Sequence, residues 1–170
     1  MKRYIKAAVN DPLNEGDEVL KGLVKNPRTP SAVLDHLTDA ALDVSILFYL
    51  AKHPNLSEYA MRKLAESPNY YVRQGVALNE HIPQDLLLTL SEDEDDYVRY
   101  GVAKNPKTPV DILVKLSENP GWRTRHGVAE NMNTPLEVLD KLCWDSVGDV
   151  QEAACDTYFK LTGKPFEYFR

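Results

Sequence analysis

Apolar residues recur along the chain in two alternating patterns, and each pattern predicts a short helix. In the first pattern, Ile112, Leu113 and Leu116 follow a Thr-Pro pair at helical spacing. In the second, the stretch 98–103 carries apolar residues at i, i+4 and i+5. No stretch alternates apolar and polar residues as a half-buried strand does. The chain is therefore predicted to be all-α, with short helices in pairs and no sheet.

This helix pair belongs to a repeat of 26 residues. The working consensus is V-R-x-G-V-A-x-N-P-x-T-P-x-(D/E)-φ-L-x-x-L-(S/A), where φ is apolar; the helix with V-R-x-G-V-A is called the B helix and the helix after T-P the A helix. A degenerate copy starts at Tyr49, and a last copy at 153–157 lacks the Thr-Pro ending. The four clearest copies are 22–30, 75–83, 101–109 and 127–135.

The ends of both helices carry local signals. Thr134, Pro135 and Glu137 match a capping box, with Thr as the N-cap of the A helix. Asn105 followed by Pro106 is expected to end the B helix, with Asn in the left-handed conformation. Eight residues fit either an α-helix or a 3₁₀-helix, so the type of the B helix stays open at this point.

A helix pair this short cannot bury its own apolar face, whereas stacked pairs can. We therefore expect residues 1–170 to form one α-solenoid domain of about six helix pairs. Residues 1–18 are expected to be the N-terminal cap and 19–157 the repeats. The tail 158–170 holds five aromatic residues. They either fold back onto the last repeat or form an exposed patch for self-association or for a partner.

The V-R-x-G-V-A-x-N-P-x-T-P-x-x-x-L-x-x-L pattern resembles the leucine-rich repeat variant family, which alternates α-helices and short 3₁₀-type helices in a right-handed superhelix. The D-x-x-V-R opening of the B helix also resembles HEAT repeats, which are similar in architecture. The resemblance covers about Val19 to Thr157 and implies a right-handed α-solenoid. The best-known member of the variant family carries a cysteine-ligated iron–sulfur cluster before its repeats. Here no cysteine precedes Cys143, so no cofactor is expected.

Composition and charge narrow the classes of function. The chain is 43% hydrophobic and 27% charged, which is typical of a folded protein, and no apolar run is long enough to span a membrane. A signal peptide is not expected after Met1, and two cysteines are no disulfide framework, so we expect a cytoplasmic location. The net charge of −6 disfavours a general nucleic-acid coat but allows a local basic face.

Arg73, Arg99 and Arg125 occupy one column of the repeat, 26 residues apart. They are either a structural ladder, bonded to the links between helices as in HEAT repeats, or a basic stripe for an acidic partner.

The B-helix positions that would face solvent, if HEAT architecture carries over, mix aromatic and basic residues early and acidic residues late. This mixture suits nucleic-acid stacking or a protein hot spot, and equally an ordinary surface. Glycine recurs in one column of the B helix, which predicts that helices approach closely there. Tyr49 replaces that glycine in the degenerate copy, by sequence decay or as part of a specialised patch. The candidate binding residues are Phe48, Tyr49, Lys52, Arg73, Arg99, Tyr100, Lys104, Arg125 and His126.

No pattern of residues indicates catalysis or a metal site. The histidines lack ligand spacing, and the acidic run 92–96 lacks the alternation of a calcium loop. We therefore expect a non-enzymatic scaffold that presents a curved surface to a protein partner. The alternative is a nucleic-acid-binding solenoid that uses Lys21, Lys25, Lys52, Arg73, Arg99, Lys104 and Arg125.

Overall fold

The computed structural model describes residues 15–40 and 42–166, and every regular element in these ranges is an α-helix. The all-α prediction is thus confirmed, and the described residues contain no strand. The helices are α1 Glu15–Lys25, α2 Ser31–Thr38, α3 Val44–Ala51, α4 Glu58–Ala65, α5 Tyr70–Ala77, α6 Gln84–Ser91, α7 Asp96–Lys104, α8 Val110–Ser117, α9 Trp122–Glu130, α10 Leu136–Leu142 and α11 Gly148–Thr162.

The odd-numbered helices are the B helices of the repeat, and the even-numbered helices are the A helices. All of them are α-helical, so the 3₁₀ alternative for the B helix is wrong. The chain divides into two compact units, Met1–Pro83 and Gln84–Arg170. A single domain over 1–170 stays a prediction, and residues 1–14 of the predicted N-terminal cap lie outside the described residues.

Successive helix pairs stack within each unit. In the first unit α3 packs against α1 and α5, and α2 packs against α4. In the second unit α9 packs against α7 and α11, and α8 packs against α6 and α10. Each unit thus has one layer of A helices and one layer of B helices.

The core lies between these layers and follows the repeat register. One A-helix column is almost completely buried: Leu34, Met61, Leu87, Leu113 and Leu139. One B-helix column, spaced by 26 residues, is equally buried: Leu20, Ile46, Val72, Val98, Thr124 and Val150. The stacking of pairs therefore buries the apolar faces that a single pair would leave in water.

Glycine in the B helices allows neighbouring B helices to approach closely. A Cβ atom on Gly75 would lie 2.9 Å from both the Ala51 Cβ and the Phe48 carbonyl oxygen, and one on Gly127 would lie 3.0 Å from the Ala103 Cβ. The close approach inferred from the glycine column is confirmed at these two positions. Tyr49, which takes the glycine position in α3, turns its ring to the surface, where it is 42% exposed.

The recurring threonine does not cap the A helix. Thr134 Oγ1 donates to the Val128 carbonyl at 2.7 Å, and Thr108 Oγ1 donates to the Val102 carbonyl at 2.5 Å. The helices that follow have no side-chain cap bond. The capping-box prediction is therefore wrong, because the buried hydroxyl bonds instead to a carbonyl in the last turn of the preceding B helix, which also accepts the backbone N–H of the recurring asparagine.

The recurring asparagine joins one repeat to the next. Asn131 Nδ2 donates to the carbonyls of Ala103 at 2.7 Å and Asn105 at 3.0 Å, while its Oδ1 accepts from the Asn133 N–H at 2.9 Å. Asn79 makes the same kind of contacts in the first unit, where its Nδ2 donates to the carbonyls of Ala51 at 2.8 Å and His53 at 3.1 Å. We call this set of bonds the asparagine ladder.

The left-handed backbone expected at Asn105 is wrong, because its φ is −70° and its ψ is 127°. Extended backbone at this position lets the side chain turn inward, and both Asn79 and Asn131 are buried.

His53 takes the asparagine position in the degenerate repeat and also bonds to the preceding repeat and to the turn that follows it. Its Nε2 lies 2.8 Å from the Asn26 carbonyl, and its Nδ1 accepts the Asn55 N–H at 3.1 Å. The ring is 3% exposed. A neutral imidazole with its proton on Nε2 supplies one donor and one acceptor, so it replaces the amide in the ladder.

The described part of the aromatic tail folds back. Helix α11 ends at Gly163, whose φ of 69° is left-handed. The Phe166 ring then meets Trp144 and Tyr158 edge-on, with centroids 5.9 and 5.6 Å apart. Residues 167–170 lie outside the described residues, and self-association through the tail stays a prediction.

The glycine column allows a stability test with a built-in control. Gly75→Ala should lower the free energy of unfolding by about 1 kcal/mol, because overpacking costs ~1–3 kcal/mol and exceeds the ~1 kcal/mol gain in helix propensity. Gly22→Ala lies in α1 with nothing within 4 Å of the added methyl group. It should raise stability by ~0.5–1 kcal/mol. Urea unfolding of both variants measures the difference, and shifts of the same sign would contradict the close approach.

Candidate binding surface

The three arginines of the repeat bond to the links between helices. The Nη1 atoms of Arg73, Arg99 and Arg125 donate to the carbonyls of Ser67, Asp93 and Asn119, at 2.9, 2.5 and 2.9 Å. Each acceptor lies six residues earlier in the chain. In the last repeat Gln151 occupies the arginine position, and its Nε2 donates to the Asp145 carbonyl at 2.5 Å. These contacts fit the structural ladder rather than a basic stripe.

Arg125 also forms a largely buried ion pair. Its Nε and Nη2 donate to the two Asp145 carboxylate oxygens at 2.6 and 2.9 Å, and the side chains are 15% and 7% exposed. The hydrogen bonds from Arg125 hold the pKa of Asp145 below its ordinary value, against the effect of burial. This two-point geometry stabilises the link that precedes α11.

A basic-aromatic patch lies on α1, α3 and α5 of the first unit. The Phe48 ring stacks on Tyr71 with centroids 4.1 Å apart and planes 9° from parallel. The Lys25 ammonium lies 4.7 Å from the Tyr49 ring centroid, and the Lys52 ammonium lies 5.6 Å from that of Phe48. Three predicted residues, Phe48, Tyr49 and Lys52, are thus brought together here. Gln74, which takes the position of Phe48 in α5, is buried.

An aromatic pocket lies on α7, α9 and the start of α11 in the second unit. It has a volume of about 320 Å³ and is lined by Tyr97, Tyr100, Trp122, Arg123, His126 and Asp149. The Arg123 guanidinium carbon lies 4.6 Å from the Tyr97 ring centroid and 4.7 Å from that of Trp122. The predicted residues Tyr100 and His126 lie in this pocket, with ring centroids 6.3 Å apart.

Lys104, the third predicted residue of this region, is neutralised by its own neighbours. Its ammonium lies 3.1 Å from Glu130 Oε2 and donates to the Tyr100 hydroxyl at 3.1 Å. Although burial works against the charge, the bonds with Tyr100 and Glu130 raise the pKa of Lys104. The positive charge that the sequence placed on the B-helix surface at Lys104 is therefore balanced by Glu130.

A second cavity, of about 370 Å³, lies between α9 and α11. Its wall carries the carboxylates of Glu130, Asp149, Glu152 and Asp156, with Lys160 at one end. This acidic cavity shares His126 and Asp149 with the aromatic pocket, so the two lie next to each other.

Sequence reasoning missed four residues of these surfaces: Tyr71, Tyr97, Trp122 and Arg123. They stand at the first two positions of their B helices, next to the polar links. Their position in the repeat could have revealed three of them, since Tyr71, Tyr97 and Arg123 share one column.

The cysteines show no sign of a metal site. Burial, together with a hydrogen bond to Cys155, raises the pKa of the Cys143 thiol. Within residues 15–40 and 42–166, no three His, Cys, Asp or Glu side chains are grouped to hold a metal ion. Over the same part of the chain, no helix is both long and apolar enough to cross a membrane.

Comparison with known proteins assigns neither a family nor a function to the chain. No family model matches the chain, and no curated protein matches it. The resemblance to leucine-rich repeat variant and HEAT proteins therefore rests on the repeat pattern alone.

The Arg125–Asp145 pair predicts a pH dependence of stability. Because the pKa of Asp145 is depressed in the folded state, its contribution is complete above the unfolded value near 3.8 and is lost as pH falls through the folded value. Asp145→Asn should lower the free energy of unfolding at neutral pH by about 1–2 kcal/mol. It should also flatten the loss of stability below pH ~4. Urea unfolding between pH 7 and 3 measures both effects, and equal acid slopes for the two proteins would contradict the role of the pair.

Proposed function

We propose that this protein is a non-enzymatic scaffold, an α-solenoid that presents its B-helix surface to a partner protein. The observation that carries the proposal is the division of the repeat into two kinds of position. The recurring Asn and Gly residues make contacts between neighbouring repeats, and the recurring Thr and Arg residues bond to the B helix and the link of their own repeat. The B-helix column that begins at Phe48 instead changes from repeat to repeat: it holds Phe48, Tyr100, His126 and Glu152, which reach the surface, and the buried Gln74.

This division is what a binding repeat protein needs. The stacking contacts fix the backbone, and the variable side chains then determine recognition. The exposed aromatic rings and charges of the basic-aromatic patch and the aromatic pocket are of the types that dominate protein interfaces.

The solenoid itself is proposed from the repeat. The repeat recurs after 27 residues at the first step and after 26 at each later one, and the stacking of pairs inside each unit supports the solenoid. A right-handed sense and kinship with leucine-rich repeat variant or HEAT proteins follow from the resemblance. A cytoplasmic location stays a prediction from the sequence, which has two cysteines and no disulfide framework.

A protein partner is favoured over a nucleic acid by charge. The chain carries a net charge of −6, and Glu130 pairs with Lys104. The rival, single-stranded nucleic acid, has one observation in its favour, the basic-aromatic patch with Lys25 and Lys52 beside stacked rings. Binding of that kind weakens steeply as salt rises.

Site-specific photo-crosslinking tests the proposal. A benzophenone amino acid replaces one exposed B-helix residue in each unit, Tyr49 or Glu152, and the matched controls are the exposed A-helix residues Tyr59 and Val114. In source-cell lysate the B-helix positions should crosslink a discrete protein that survives nuclease treatment, and the A-helix positions should not. Equal yields at all four positions would contradict the proposal. Crosslinks that disappear with nuclease would favour the nucleic-acid alternative.

A further inference from the structure

The aromatic pocket binds a guanidinium group within the chain itself. Arg123 lies against the rings of Tyr97 and Trp122, with its guanidinium carbon less than 5 Å from both centroids. Such distances are those of a cation–π interaction, in which arginine is the commonest cation. Tyr97 is 39% exposed, and the pocket is open beyond Arg123 toward Tyr100 and Asp149. The rings therefore offer further aromatic surface to a cation from outside.

The acidic cavity next to the pocket determines the charge of the ligand that fits. Asp149, Glu152 and Asp156 are spaced i, i+3 and i+7 on α11, which places them along one side of the helix. All three are exposed, and no ion pair joins them to a described residue. Like charges at this spacing destabilise a helix. Cationic groups of a ligand would relieve that repulsion.

Few basic side chains lie around the two cavities to neutralise the carboxylates of α11. Arg123 is held against Tyr97 and Trp122, and Lys160 lies at the far end of α11. His126 Nδ1 is 3.4 Å from Glu130, whose carboxylate also pairs with Lys104. The three carboxylates of α11 therefore remain for a ligand.

We propose that the aromatic pocket and the neighbouring acidic cavity together bind an arginine- and lysine-rich segment of a partner protein. One arginine of the segment lies against Tyr100 and Trp122, and the following basic side chains pair with the carboxylates of α11. This inference rests on the proposed function and specifies the partner's chemistry. Asp149 to Asp156 span about 10 Å along the helix. An extended chain covers that length in about three residues, so two or three basic residues within four or five positions fit.

A displayed library of random 12-residue peptides, selected on the full-length protein at physiological salt, tests the composition. Enriched peptides should contain an arginine and a second basic residue within the next four positions. Enrichment of neutral or acidic peptides, or of none, overturns the inference.

Trp122 reports where the selected peptide binds. In a Trp144→Phe background it is the only tryptophan, and a peptide seated in the pocket should change its fluorescence. The Asp149→Asn/Glu152→Gln/Asp156→Asn variant should bind at least tenfold more weakly, because all the carboxylates of α11 that attract the basic side chains are lost. The control variant Asp111→Asn/Glu118→Gln/Glu137→Gln makes the same change in net charge at exposed positions on or beside the A helices. Its affinity should stay within twofold.

The remaining outcomes separate the two proposals. Equal weakening in both triple variants indicates attraction by net charge alone and overturns the site. Displacement of the peptide by a 12-residue oligothymidine also overturns it. If the site fails while crosslinking stays specific to the B helices, the binding function stands and only this assignment is lost. If crosslinking fails as well, both proposals are wrong.

Discussion

The asparagine ladder is the interaction on which the stacking of repeats depends. A helix leaves its last carbonyls without intrahelical partners, and here those carbonyls are buried where no water replaces them. The amide of Asn131 donates to the carbonyl of Ala103, in the last turn of α7, and to that of Asn105 just beyond the helix, while its own oxygen accepts the Asn133 N–H. Aspartate could not do this, because its carboxylate has no N–H to donate. His53, in the degenerate repeat, does so in part, because its ring bonds to one carbonyl, that of Asn26, and accepts the Asn55 N–H.

Once the ladder and the close approach at Gly75 and Gly127 fix the spacing, the B-helix surface is free to vary. The first unit uses it for lysines beside aromatic rings, as at Lys52 and Phe48. The second unit uses it for aromatic rings beside carboxylates, as at Trp122 and Asp149. The same backbone thus presents two surfaces of opposite charge, and the assignment of a basic ligand to the second surface follows from that difference.

Local patterns predicted the helices, the repeat and the close approach at the glycines, because each of these depends on neighbours in sequence or on the fixed repeat period. The errors lay where a side chain reaches another segment. Thr134 and Asn105 look like caps by their local sequence, yet the threonine bonds to the preceding helix and the asparagine backbone stays extended. Tyr97 and Arg123 meet across two repeats, so neither one's sequence neighbours indicate a pocket.

Hydrogen exchange of the Asn79 and Asn131 side-chain amides, followed by NMR, tests the account most directly. Both side chains are buried and donate to two carbonyls of the preceding repeat. The account predicts that their protons exchange as slowly as the core backbone amides of the same unit, because exchange requires the repeats to separate. Exchange at the rate of a solvent-exposed asparagine would contradict the ladder, and with it the division of the repeat into stacking and binding positions.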